Sequence, residues 1–120
     1  MVGSWTLKYD PVSRVTTMEE LAFSFRNNPK DALSKSYKQF FKVTGTIDSI
    51  DEKNKKVTLL YKDEDGDNYT IKAEFNLSDT SKIKKHKKGE LVQINGTFIK
   101  YTPKRQNNVR TVTFENSSIV

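Results

Sequence analysis

A mainly β chain, one five-stranded barrel behind a helical segment, is the fold class this sequence predicts. Three observations carry the prediction. The apolar period changes from helical to two at Tyr37 and then stays at two for most of the chain. Five alternating runs follow, and a single polar stretch interrupts them between the third and the fourth. Gly45 and Gly96 fall inside strands, where glycine costs stability unless the sheet must bend or admit another backbone.

Thr17 and Glu20 have the spacing of a capping box, so a helix is expected to start there. Leu21, Ala22 and Phe25 give it one apolar face. Pro29 disfavours helical geometry at Asn28 but suits the first turn of a new helix, which Ala32, Leu33 and Tyr37 continue. Residues 17–36 therefore read as two short helices or one kinked helix.

In the first strand Phe41, Val43, Gly45 and Ile47 alternate with Lys42, Thr44, Thr46 and Asp48. A polar turn, Asp51 to Lys55, leads to a second strand with Val57, Leu59 and Tyr61 on one face. Asp65-Gly66 marks a hairpin, because glycine tolerates positive φ. Tyr69, Ile71, Ala73, Phe75 and Leu77 share one face of the third strand. Ser78 to Lys88 reads as a helix or loop with Ser78 or Asp79 as its N-cap, and Gly89 closes it. Leu91 to Tyr101 forms the fourth strand, with Val92, Ile94, Gly96 and Phe98 inward. After a polar loop, Thr102 to Asn108, the fifth strand covers Val109 to Phe114 and extends toward Ile119 and Val120. Five strands with a connector between the third and fourth are the element order of the oligonucleotide-binding (OB) fold, a five-stranded Greek-key barrel. Residues 1–16 read as an N-terminal extension, and 17–120 as helical segment plus barrel.

Composition narrows the function. A chain of 120 residues suits one domain. Without cysteine it has no disulfide framework, thiolate nucleophile or cysteine-containing zinc site. No apolar run approaches the roughly 20 residues of a membrane span, and Met1 to Asp10 lacks the pattern of a signal peptide. A cytoplasmic location is expected, and an envelope location only if a signal was removed ahead of Met1. The formal net charge is +6, but residues 80–120 hold 9 basic and 2 acidic residues, whereas residues 1–79 hold 12 and 13. All the positive excess lies in the last third, a footprint of polyanion binding or of basic loops that keep a small barrel soluble.

Catalytic constellations are poor. His86, the one histidine, lies in a lysine run and reads as solvated. Asp63, Asp65 and Asp67 lack the glycine offset and the bidentate glutamate of a calcium loop, so they read as a hairpin tip. No phosphate-binding glycine loop or serine elbow appears. The Asn-X-Ser/Thr triplets at Asn68, Asn76, Asn95 and Asn116 are expected by chance in a chain so rich in these residues. A non-enzymatic binding protein with no metal and no cofactor is expected.

Glu20-Leu21, Asn28, Ala32, Tyr37, Val43-Thr44-Gly45-Thr46-Ile47 and Ile50 resemble the tRNA-anticodon-like OB-fold family of bacterial proteins. Lys88-Gly89-Glu90-Leu91-Val92-Gln93-Ile94-Asn95-Gly96 is similar to that family's turn into strand four, and Val112-Thr113-Phe114-Glu115-Asn116 to its closing strand. The resemblance spans roughly residues 17–120 and implies an OB barrel that binds nucleic acid. Many relatives look like lipoproteins, whereas this sequence shows neither a lipoprotein signal nor a lipidation cysteine.

Three places are candidates for binding. Lys82, Lys84, Lys85, Lys87 and Lys88 crowd the connector, where they would neutralise phosphates or simply form a solvated face. The loop between strands four and five carries Lys100, Tyr101, Lys104, Arg105 and Arg110, and OB proteins grip single strands with this loop. Tyr101 falls out of phase with Phe98, so its ring is expected outside, available for stacking. The first loop and the face of strands one to three add Lys42, Thr44, Lys53, Lys55, Lys56, Lys62 and Lys72. That face weakens the case, since Tyr61, Tyr69 and Phe75 point inward by parity and leave Thr, Lys and Leu60 where stacking rings usually sit. Trp5 would supply a ring if the N-terminal segment crosses the barrel, or else plug its open end.

The expected function is a bacterial or mobile-element protein that binds single-stranded DNA or RNA through a basic rim with little sequence specificity. The alternative is a protein-interaction module, an inhibitor or assembly factor, that meets an acidic partner. An exported protein with an anionic ligand is a third reading.

Overall fold

A computed structural model of the chain describes residues 14–63, 69–103 and 108–120. The capping box forms as its spacing requires. The Thr17 hydroxyl accepts from the Glu20 backbone N–H, and the Glu20 carboxylate accepts from the Thr17 N–H, each at 3.1 Å. Helix α1 (Met18–Asn27) starts from that cap and buries Met18, Leu21, Ala22 and Phe25. Asn28 ends it by donating its backbone N–H to Ser24 O, while its side chain accepts from Asp31 N–H and opens α2 (Pro29–Ser36). The segment is thus two helices, each with its own cap. A short strand, β1 (Arg14–Thr17), precedes them inside the stretch that the sequence reads as a plain extension.

The five expected strands are β2 (Phe40–Asp51), β3 (Lys56–Lys62), β4 (Thr70–Asp79), β5 (Leu91–Thr102) and β6 (Val109–Ile119). They follow the order β2-β3-β4-β6-β5, and β5 pairs back onto β2 to close the barrel. The β4–β6 pair is parallel and the other barrel pairs are antiparallel. Strand β2 holds β5 through residues 40–46 and β3 through residues 46–51. Strand β1 lies parallel on its first half, with Arg14 opposite Phe41. In the turn after β2 the Asp51 carboxylate accepts from both the backbone and the side-chain N–H groups of Asn54.

The connector differs from the expected capped helix. Ser78 and Asp79 still belong to β4, and the only helical piece is a 3-10 turn at Ile83–Lys85 that no side chain caps. Ile83 is the one buried residue in that turn, and adjacent lysines repel one another, so a longer helix has neither anchor nor charge balance. Gly89, at φ +94°, donates to Ile47 O, and Ile47 N–H donates to Glu90 O, each at 2.9 Å. These two bonds lay the end of the connector along β2.

The core follows the alternation read from the sequence. Val43, Val57, Leu59, Ile71, Phe75, Ile94, Phe98, Val112 and Phe114 are fully buried. Phe114 is the hub of an aromatic cluster. It stacks on Phe75 at 4.5 Å and meets Phe98 and Phe41 edge-on at 5.5 and 5.7 Å. Phe25 of α1 stacks on Phe98 at 5.8 Å and joins the helices to this core.

The two strand glycines stand where neighbours press closest. A Cβ on Gly45 would overlap Met18 Cγ. One on Gly96 would lie 2.5 Å from Ser117 Oγ and 2.9 Å from Phe114 Cβ. Gly96→Ala is therefore expected to lower stability by about 1–3 kcal/mol through overpacking. Gly89 has open space around it, so Gly89→Ala should cost only the backbone strain of a positive φ, about 1 kcal/mol. Urea denaturation midpoints of the two variants check the ranking; a Gly96→Ala midpoint equal to wild type would show that the β5–β6 contact yields.

Candidate nucleic-acid interface

Strand direction decides where the cations go. β2 runs from the helices toward the turn at residues 52–55, and β5 runs antiparallel to it, from the connector back to the helical end. The twelve residues of β5 span roughly 35–40 Å of chain at about 3.3 Å each. Lys82, Lys84, Lys85, Lys87 and Lys88 therefore sit at one end of the barrel, and Lys100 and Arg110 at the other. The single basic rim expected from sequence is two clusters. Lys104 and Arg105 lie outside the described residues, as do Trp5 and the hairpin tip at Asp65 and Asp67.

At the connector end, Lys84, Lys87 and Lys88 are exposed and line an open groove of about 500 Å³ with Asp48 and Glu52. Those carboxylates offset part of the positive charge. His86 is half-buried rather than solvated, with Nδ1 3.2 Å from Glu90 Oε2. Glu90 also accepts the Lys87 backbone N–H at 2.8 Å. The bond to His86, then the one from Lys87, holds the Glu90 carboxyl below its ordinary range. The partner four residues on draws the ring in while the lysines around it face solvent. Lys55, at φ +56°, is exposed, and Lys56 is held 3.7 Å from Glu74.

At the helical end, a β-bulge overturns the expected position of Tyr101. Phe98 pairs with Phe114 and Lys100 with the adjacent Thr113, so Ile99 is the extra residue on β5. Parity flips, and Tyr101 turns inward opposite Val112 to stack on Phe25 at 4.7 Å. Lys100 stays exposed. Arg110 is half-buried, its guanidinium 4.0 Å from the Tyr69 ring centre, and it donates to Asn108 O. Arg26 lies over the same ring at 5.9 Å and pairs with Asp63. Arg110 is thus part of a cation–π stack and not a free clamp.

Sequence reasoning missed the exposed ring. Tyr37 continues the apolar face of α2 only if the helix runs on, but the helix stops at Ser36 and Tyr37 takes φ −56°, ψ 125°. Its ring is consequently 51% exposed, with Lys38 Nζ 5.5 Å from its centre. Tyr37 shares an open groove of about 550 Å³ with Leu33, Ser34, Ile99, Lys100 and Tyr101. The one usable signal was Pro29, which sets the start of α2 and makes a long helix there improbable before a period-two run. On the outer face of β2 to β4, Thr44, Leu60 and Lys72 stand where parity puts them, and the one outward ring, Phe40, is half-buried. Among the described residues no cluster of acidic or histidine side chains could hold a metal, and no helix is long and apolar enough to cross a membrane.

Tyr69 reports on the packing at this end. It is 3% exposed, and its hydroxyl has no partner at hydrogen-bonding geometry among the described residues. Burial pushes the phenol up to about 12, the adjacent Tyr101 adds to the shift, and Arg110 and Arg26 oppose it. The folded state therefore holds this proton more tightly than the unfolded chain, whose tyrosines titrate near 10. The resulting stability is complete below pH about 10 and is lost as pH rises from about 10 to 12. Ultraviolet titration should show a tyrosine step near pH 12. Tyr69→Phe should remove that step and flatten the alkaline loss of stability; an unchanged titration would mean that the phenol is solvated.

A family model described as tRNA_anti-like matches residues 6–110. No curated protein matches the sequence. Among solved structures, a lipoprotein of Klebsiella pneumoniae subsp. pneumoniae MGH 78578, to which nucleic-acid binding is ascribed, is similar with a TM-score of 0.57 and 17% identity. The match covers 90% of this chain and 92% of that one. At that identity the likeness speaks for the fold. The closed barrel, its strand order and the family match agree, and the chain belongs to the tRNA_anti-like family of OB-fold proteins.

Proposed function

We propose that this chain is a non-enzymatic protein that binds single-stranded nucleic acid through the cationic ends of its barrel, with little sequence specificity. One observation carries the reading. Lys82, Lys84, Lys85, Lys87, Lys88 and Lys100 are exposed, and none is held in an ion pair among the described residues. Exposed cations that no contact ion pair holds can replace the counterions of a phosphate backbone. The fold supports the same class of ligand, as does the nucleic-acid binding ascribed to the Klebsiella protein. Low specificity follows from the strand face, where Thr44, Leu60 and Lys72 offer neither a ring nor a fork of donors to a base edge.

Fluorescence anisotropy with labelled oligothymidine or oligouridine tests this reading. The affinity should fall steeply from low to physiological salt, with a log–log slope of about −0.7 per phosphate neutralised. Combined Lys84→Ala, Lys85→Ala, Lys87→Ala and Lys88→Ala substitutions should weaken binding and flatten that slope. An absence of binding even at low salt would overturn the reading and turn attention to an acidic protein partner for the same lysines.

A further inference from the structure

Resting on the nucleic-acid reading, we infer that the groove between the end of α2 and the end of β5 is a site for one unpaired base, with Tyr37 as its platform. Two rings are exposed among the described residues, Phe23 at 68% and Tyr37 at 51%. Charge separates them. Phe23 opens onto grooves that contain Glu19, Glu20, Asp31 and Asp63, which offset Arg14, Arg26 and Lys35. The groove at Tyr37 has no carboxylate in its lining, Lys100 lines it, and Lys38 Nζ lies 5.5 Å from the ring centre. A nucleotide brings an aromatic face and a negative phosphate together, and only the second groove complements both.

The platform is also held in place. Tyr37 N–H donates to Leu33 O at 3.0 Å and closes α2. Lys38 adopts φ +64°, a conformation that costs a non-glycine residue free energy, and its N–H donates to Phe98 O at 2.7 Å. Phe98 N–H returns a bond to Gln39 O at 2.9 Å. Backbone bonds to β5 thus fix a strained lysine beside an exposed ring, the kind of over-determined geometry that gathers at ligand sites. Leu33 and Ile99 line the groove with apolar surface, and Ile99, next to the inward Phe98, faces outward by the alternation of the strand. At about 550 Å³ the groove falls within the range of small-ligand sites. Bases inside a duplex already stack on one another, so this site selects single strands.

The test uses the full chain and an oligothymidine carrying one 2-aminopurine, whose fluorescence is quenched when it stacks. Wild type should quench the probe and should bind a 12-base-pair duplex at least about tenfold more weakly than the single strand. Tyr37→Ala should lose about tenfold or more in affinity and should lose the quench, yet keep the wild-type salt slope, because it removes no phosphate contact. Tyr37→Phe should restore affinity and quench together, which a merely structural role for the hydroxyl would not do. If wild type binds and Tyr37→Ala, folded by circular dichroism, binds and quenches equally, the stacking site is overturned and the nucleic-acid reading stands. If wild type binds no single strand at low salt, both fall. Should Tyr37→Ala fail to fold, Tyr37→Gln replaces it with the same expectations, and equal duplex and single-strand affinity of wild type remains sufficient to overturn the site.

Discussion

The change of partners along β2 beside Gly45 is the constraint on which the helical end depends. The strand must serve β5 along its first half and β3 along its second, and it changes partners at Thr46. Gly45 stands next to that change, and the space its missing Cβ leaves is taken by Met18, the first residue of α1. Barrel closure and the seating of the helices are therefore one packing event. Phe25 completes it two turns further along the same face of α1 by lying against both Phe98 and Tyr101. Every feature of the candidate interface at this end, from the position of Tyr37 to the cover over Tyr69, is set by how α1 and α2 sit on the mouth.

Charge is arranged by the same geometry. Basic residues gathered in the last third of the sequence are divided in space because β5 carries the chain the length of the barrel between their two groups. The clusters also differ in kind. Connector lysines are exposed beside the carboxylates of Asp48 and Glu52. At the helical end the guanidinium of Arg110 is spent on Tyr69, and that of Arg26 on Asp63, whereas Lys100 is exposed beside the groove and Lys38 lies over the exposed Tyr37 ring. Net charge is thus a poor guide to which cations can meet a ligand, since an arginine half-buried against a phenol counts in the sum without being available.

Much of the fold was legible because its signals are local or strictly periodic. Thr17 and Glu20 are three residues apart and need only each other, and Asn28-Pro29 both ends one helix and starts the next. Inward positions from Phe41 to Phe98 follow a period of two. What escaped were the places where a period breaks. The extra residue at Ile99 reverses every face beyond it, so Tyr101 lies inside although simple counting puts it outside. The end of α2 one residue before Tyr37 has the opposite effect and brings a ring expected inside to the surface. Strand β1 escaped because Arg14 to Thr17 is too short and too polar to show alternation; its place is fixed by pairing with a segment more than twenty residues away. His86 was misjudged because its immediate neighbours are lysines and its partner, Glu90, is a full turn further on.

Closure has a consequence for solubility. Alternating apolar strands of this length, released with their backbone donors and acceptors open, are templates for cross-β assembly. Among the described residues each of the five barrel strands has a partner on both sides, and β1 covers the first half of β2 on the side where β3 takes the second half. The small strand ahead of the helices thus acts as a selvedge, finishing the stretch of β2 from Phe41 to Thr44 where the fabric of the barrel could otherwise fray.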